Sequence, residues 1–246
     1  MKIVACIEAR YSSTRLPGKM LIDIEGEPLL SRVIDRVKKS KKIHEIIIAT
    51  SINSADQKIV NFSKKNKINY FRGSEENVLD RVLKANQFFN SDIVVEVCGD
   101  CPLIDPKIID NAIEVFLNNQ FDVVCTGGNI QSYPQGTEVM VFKRSLLESS
   151  VSYCNEDSYK EHVGLFFLEN PSKYKVKELK APLSLQKPNL RLQVDYQEDL
   201  NLVKKIYADL LPLFGDNFLL EDVINLLNKK KHYLEINKNC KEKPVR

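Results

Sequence analysis

A chain of 246 residues with 43% hydrophobic content is long enough to bury one large α/β core, or one core with an appendage. Its net charge is only +3, with acids and bases interspersed, which argues against a nucleic-acid surface. No apolar run approaches the ~20 residues that cross a bilayer, and the first apolar run is short and followed at once by charge, so no membrane partner and no secretory signal are expected.

Residues Lys2 to Ile7 form a short apolar run of the kind that makes a fully buried strand. The run empties into a polar loop holding Arg10, Arg15 and Lys19, with Ser12, Ser13 and Thr14 between them and Pro17-Gly18 as a turn. Open α/β sheets bind ligands at the carboxyl ends of their strands, and cations with hydroxyl and N–H donors are what a polyphosphate needs. The competing reading is a solvated basic loop. The loop is not a Walker A motif, because Lys19 follows a single glycine and precedes Met20, and no G-x-G-x-x-G follows the strand.

Leu29 to Ser40 has apolar residues at helical spacing, and lysines at its end suit the helix dipole. A second buried strand lies within His44 to Ser51, a helix over Asp56 to Lys67 and a third strand over Asn69 to Arg72. Gly73 to Glu76 opens a third helix with Ser74 as N-cap. Asp92 to Cys98 is a fourth strand, Pro106 to Asn118 a fourth helix and Asp122 to Cys125 a fifth strand. This alternation predicts an α/β, Rossmann-like three-layer fold with a mostly parallel central sheet.

Regularity fails between about Gly127 and Lys187, which reads as a small α+β insertion covering an acceptor site. It holds a loop and strand over Tyr133 to Phe142, helices over Ser145 to Ser152 and Tyr159 to Glu169, and a strand over Lys175 to Leu179. Leu190 to Asp195 alternates like a strand, and Gln197 to Leu211 and Leu219 to Lys230 are closing helices. The expected organisation is one domain over residues 1–230 and a solvated basic tail over 231–246.

The six cysteines show no disulfide spacing. Cys98 and Cys101 form a C-x-x-C, but no second Cys or His pair completes a zinc site. Reduced thiols point to a cytoplasmic protein.

If the loop holds a nucleoside triphosphate, a divalent metal is expected beside it, and Mg²⁺ prefers one or two carboxylates plus phosphate oxygens. Asp100 stands at the end of a buried strand after Gly99 and is the best metal ligand by position; its bland alternative is a turn cap. Asp195 precedes a helix, with Glu198 three residues on, which on its own reads as a capping box.

The segment from Ala9 through Arg10, Ser13, Thr14, Arg15, Pro17, Gly18 and Lys19 to Leu21 resembles the signature of the sugar-activating cytidylyltransferases. The 3-deoxy-manno-octulosonate enzymes and the spore-coat polysaccharide nucleotidyltransferase group are the nearest kin by motif. The Gly99-Asp100-Cys101-Pro102 segment and the late Val194-Asp195 segment occur in the order that family requires, and the resemblance makes Asp195 the second metal ligand. It also implies that Arg10, Arg15 and Lys19 hold phosphates, that Ser74 and Arg81 lie around the nucleotide, and that Ala9, Thr50 and Ser51 meet the base. Glu138, Glu161 and His162 match acceptor positions of the spore-coat group, but Met140 stands where that group carries an acid. A homodimer formed through the insertion is implied as well.

The resulting expectation is a Mg²⁺-dependent transfer of CMP from CTP to a sugar or sugar acid for surface polysaccharide or glycan synthesis. Three rivals stay open: a sugar 1-phosphate enzyme using another triphosphate such as GTP, a nucleotide-sugar glycosyltransferase, and a nucleotide sensor with a decayed site. The glycosyltransferase would want a D-x-D, and only Gly99-Asp100-Cys101 is present.

Overall fold

The computed structural model describes residues 1–241. Its strands are β1 (Ile3–Glu8), β2 (Asp23–Ile24), β3 (Glu27–Pro28), β4 (Glu45–Ser51), β5 (Asn69–Gly73), β6 (Ile93–Cys98), β7 (Val123–Cys125), β8 (Met140–Lys143) and β9 (Val176–Glu178). Its α-helices are α1 (Leu29–Val37), α2 (Gln57–Lys65), α3 (Val78–Phe88), α4 (Pro106–Asn118), α5 (Arg144–Ser150), α6 (Asp157–Glu161), α7 (Leu165–Glu169), α8 (Gln197–Phe214) and α9 (Leu220–Lys229).

The described residues build a seven-stranded sheet in the order β5-β4-β1-β6-β8-β7-β9, beside a small β2-β3 hairpin. Strands β5, β4, β1 and β6 are mutually parallel, which confirms the mostly parallel sheet expected from the strand–helix alternation. Strand β8 is antiparallel to both of its neighbours. Both strands of the region expected as a small α+β insertion, β8 and β9, belong to the main sheet. Val141 and Phe142 are fully buried on its two faces, so leaving β8 outside would expose both.

Alternation along β1 fills both outer layers. Ala5 and Ile7 face a core completed by α1, α4, α8 and α9, while Val4 and Cys6 face α3 and the α5–α7 segment. Each fully buried aliphatic side chain such as Ile7 contributes about 1.5–3 kcal/mol.

Helix α4 begins where the sequence places it, because Asp105 caps the Lys107 N–H at 2.8 Å and Pro106 needs no donor there. Helix α3 begins later than expected. Asn77 is its N-cap, accepting from Asp80 N–H at 2.9 Å, while the Ser74 hydroxyl accepts from Asn77 N–H and closes the preceding turn. The expected helix over Tyr159 to Glu169 is two short helices broken at His162, whose backbone is extended. Leu190 to Asp195 is extended but holds only one bridge, Gln135 with Arg191, so it is not a ladder strand.

Residues 231–240 do not form the expected solvated tail. Tyr233 is buried with its hydroxyl 2.9 Å from Asp209, and Asn237 is buried against Arg191 and Asp199. An aromatic ring and an amide with buried partners outweigh the solubility of the lysines around them. The last part of the expected tail, Glu242 to Arg246, lies outside the described residues. No described helix is long and apolar enough to cross a membrane.

Candidate active site

The crevice is set by close approach of the β1 and β6 ends. Gly99 N–H donates to Glu8 O at 2.9 Å, and a Cβ at Gly99 would stand 2.4 Å from that same oxygen. Only glycine allows this approach, and it places Asp100 beside the loop that follows β1. The facing loop is fastened by Val194 N–H donating to Asp100 O at 2.9 Å.

Asp100 and Asp195, 95 residues apart in sequence, meet at one atom. Lys19 Nζ donates to Asp100 Oδ2 at 2.7 Å, to Asp195 Oδ1 at 2.8 Å and to Val194 O at 2.8 Å. Arg15 reaches the same Asp195 oxygen at 2.6 Å, and Arg191 and Gln193 donate to the other one. Burial opposes the Lys19 charge, but the two carboxylates outweigh it and raise its pKa. Burial likewise pushes Asp195 up, yet Lys19 and Arg15 win and hold it at about 2.

Asp195 is not the helix cap that its local sequence suggests. Asp199 does that work, accepting from the N–H groups of Asp195 and Tyr196 at 3.1 Å, and it closes a capping box at the start of α8. Asp199 also takes Arg191 Nε at 3.0 Å and Asn237 Nδ2 at 2.8 Å. A buried ion pair thus holds Asp195 from behind. Sequence reasoning missed Asp199 as its orienting partner, and the signal was its place four residues after Asp195.

The loop itself is built partly by its own turn and partly by two carboxylates from elsewhere. Gly18, at φ +73°, and its N–H bond to Tyr11 O fold the segment back. Fully buried Asp56 accepts from Tyr11 N–H at 2.6 Å and from Ser51 Oγ at 2.5 Å. Glu75 accepts from Ser12 Oγ and from Asn53. Ser13 Oγ accepts from Leu16 N–H, and Thr14 and Arg15 lie exposed at the loop tip. The base-side residues are differently placed: Ala9 N–H is spent on Ala49 O and Ser51 Oγ on Asp56, while Thr50 Oγ1 is buried with no partner.

Arg10 lies apart from the Lys19 cluster. It pairs with Glu161 Oε1 at 3.0 Å and donates to Glu75 O at 3.1 Å, on the α3–α6 side of the sheet. Arg81 is on that side too. It is not the helix-surface ion pair one might draw with Asp80 or Glu76: it is 1% exposed and donates to Ser74 O. His162 is exposed beside Glu161, at the break between α6 and α7. Glu138 accepts from Gly136 N–H at 2.6 Å and from Gln131. Met140 packs so closely that a Cβ at Gly164 would stand 2.1 Å from its sulfur, and its cross-strand partner is Glu96.

Glu8 and Glu96 were missed because each sits in an otherwise apolar strand run. Burial raises both, Glu96 to about 7 and Glu8 well above the carboxylate range. The folded chain then keeps a proton that an unfolded Glu loses near pH ~4.3, so stability falls as pH rises from there through about 7. Glu96→Gln should flatten that slope and raise the melting temperature above neutral pH; melting curves across the window check it.

Comparison with known proteins shows the family of this chain. A sequence model described as cytidylyltransferase matches residues 4–240. An uncharacterized protein, MJ1063, of Methanocaldococcus jannaschii is 36% identical over 247 residues, covering 100% of this chain and 98% of that one. The spore coat polysaccharide biosynthesis protein SpsF of Bacillus subtilis is 34% identical over 210 residues, covering 83% and 86%. Among solved structures, a cytidylyltransferase from Leptospira borgpetersenii superposes with a TM-score of 0.89 at 30% identity, over 99% of this chain and 100% of that one.

Proposed function

Since this chain belongs to the cytidylyltransferase family, and so is a nucleotidyltransferase, we propose that it transfers CMP from CTP to a sugar or sugar-acid acceptor and releases pyrophosphate, in surface polysaccharide or glycan synthesis. The observation that carries this reading is the convergence of Arg15, Lys19, Asp100 and Asp195 at the carboxyl ends of the central strands. Arg15 and Lys19 neutralise the triphosphate, Ser12, Ser13 and Thr14 complete its cradle, and Arg10 reaches it from the α3–α6 side, where it is paired with Glu161 in the free chain. Ala9, Thr50 and Ser51 lie on the base side, with Ser74 and Arg81 around the nucleotide. Glu138, Glu161 and His162 line the acceptor side. The acceptor oxygen bonds to the α-phosphorus as its bond to the pyrophosphate oxygen breaks.

Asp100 and Asp195 fit a hard divalent cation such as Mg²⁺, being two carboxylates within reach of one atom. No group of three or more His, Cys, Asp or Glu among the described residues is arranged to hold a metal ion, so phosphate oxygens and water would complete the shell. When bound, the ion supplies charge neutralisation and orients the α-phosphate. The same reading includes a homodimer formed through residues 127–187 and a cytoplasmic location.

Calorimetry with CTP, GTP, UTP, ATP and dTTP, each with Mg²⁺, tests it. CTP should bind selectively, and Asp100→Ala should weaken it by about tenfold or more, which is ~1.4 kcal/mol. Selective binding of another triphosphate would move the enzyme to the sugar 1-phosphate class. Binding of a nucleotide sugar but no triphosphate would make it a glycosyltransferase.

A further inference from the structure

The Asp195 carboxylate has a rear and a front oxygen. The rear one, Oδ2, takes Arg191 Nη2 at 2.9 Å and Gln193 Nε2 at 3.0 Å. The front one, Oδ1, takes Lys19 Nζ at 2.8 Å and Arg15 Nη2 at 2.6 Å. A carboxylate offers about four lone-pair directions, so these four donors fill it. Lys19 also closes Asp100 Oδ2 at 2.7 Å and sends its third proton to Val194 O at 2.8 Å. Asp100 Oδ1 meets only a weak donor, Cys101 Sγ, at 3.5 Å. The free chain therefore offers a divalent cation one lightly held carboxylate oxygen. Mg²⁺ needs oxygens at about 2.0–2.1 Å in a near-ideal octahedron.

The two pairs of donors are anchored differently. Arg191 is buried and pinned from behind by Asp199 at 3.0 Å. Lys19 and Arg15 both belong to the loop after β1, and the Arg15 side chain is 30% exposed. The Asp100 side chain is 24% exposed, so solvent reaches the front of the site. Lys19 carries its ammonium on a flexible four-carbon stem and can change partners without moving its backbone. Phosphate oxygens offer both cations charge-assisted bonds as strong as those they give up. A triphosphate on this loop would thus clear Asp195 Oδ1 and Asp100 Oδ2 together and leave the rear pair in place.

We propose that Lys19 and Arg15 hold the front carboxylate oxygens closed in the free chain and release them to a divalent cation only as they turn to the triphosphate. The chain then takes up metal with its nucleotide rather than before it. This rests on the cytidylyltransferase reading and adds an order of binding to it.

The test uses the full chain and needs no turnover. Mn²⁺ is titrated alone and followed by its paramagnetic resonance signal; CTP is titrated in EDTA and followed by calorimetry. Lys19→Met should bind Mn²⁺ about tenfold more tightly than the wild type and CTP about tenfold more weakly, within the usual range of such couplings. One substitution then moves the two ligands in opposite directions, which a loss of structure does not do. Arg15→Met, at an exposed position, should give smaller changes of the same signs and keeps the test meaningful if Lys19→Met folds poorly. Lys58→Met removes the same charge from beside the same loop, where Lys58 stacks on Tyr11, and should change neither affinity. Mn²⁺ binding no tighter in Lys19→Met and Arg15→Met than in the wild type, an equal gain in Lys58→Met, or CTP binding that requires metal overturns the exchange. Failure of the wild type to bind CTP even with Mg²⁺ would instead overturn the reading beneath it.

Discussion

Lys19→Met should lower turnover by about 10²–10³-fold, the usual loss when a preorganised donor to developing charge is removed. The same variant should lose stability. It leaves Asp100 and Asp195 facing each other without the ammonium that now lies 2.7 and 2.8 Å from them. Breaking a buried pair from one side costs about 3–5 kcal/mol. The lower end applies here, because Asp195 keeps Arg15 and Arg191 and the Asp100 side chain is 24% exposed. For a domain this size that is a drop of about 6–12 °C in melting temperature. Magnesium without nucleotide should recover part of the loss, since a ligand that binds only the folded chain stabilises it. The wild type should respond less, because Lys19 already bridges the carboxylates. Turnover within tenfold of wild type, or no differential effect of magnesium, would remove Lys19 from the centre of the site. Acid sensitivity should change as well. In the wild type the depressed Asp195 adds stability that is present above its unfolded pKa of ~3.9 and lost as pH falls toward about 2. Without Lys19 that window shrinks.

Asp199→Ala should be more damaging to the fold than any change at the loop tip. Asp199 is fully buried and takes bonds from Arg191, Asp195 N–H, Tyr196 N–H and Asn237. Its removal leaves the Arg191 cation, 6% exposed, without its principal counter-charge. It also uncaps α8, which adds about 1 kcal/mol to the ~3–5 kcal/mol of an unpaired buried charge. A fall of about 10–15 °C in melting temperature is expected. CTP binding should weaken in parallel, because Asp195 loses the support behind it. Asp199→Asn keeps an oxygen for the backbone donors and should fall between. A melting temperature within 2–3 °C of wild type, roughly what 1 kcal/mol moves, would show that the pair is not structural.

The parts of the site legible in the sequence were those whose chemistry is local. The loop after β1 and the Gly99-Asp100 strand end carry their own turn formers and charges, and Asp105-Pro106 marks the start of α4 by itself. What stayed hidden depends on partners far along the chain. Asp195 reads as a cap until Asp199 is seen to do the capping and Lys19 to reach across 176 residues. Arg81 looks like a surface cation because its neighbours in sequence are acidic, yet its carboxyl neighbour Glu8 comes from β1. Residues 231–240 read as tail because a basic cluster, Lys229 to Lys231 and Lys238 onward, brackets them, while Tyr233 and Asn237 decide their placement. The break at His162 escaped because apolar spacing runs through it unchanged; tertiary packing, not periodicity, divides that segment.

The position of β8 has a consequence for how the chain reaches this state. As synthesis proceeds, β1, β4, β5 and β6 can pair as soon as residue 98 is available. The next strand made, β7, has no place on them, because β8 must first occupy the edge of β6. A nascent or truncated chain ending near residue 130 therefore presents an unpaired, mostly apolar β6 edge, the kind of surface that recruits other strands. Fragments of that length should aggregate, whereas chains extended past Lys143 can cover the edge with a segment of their own.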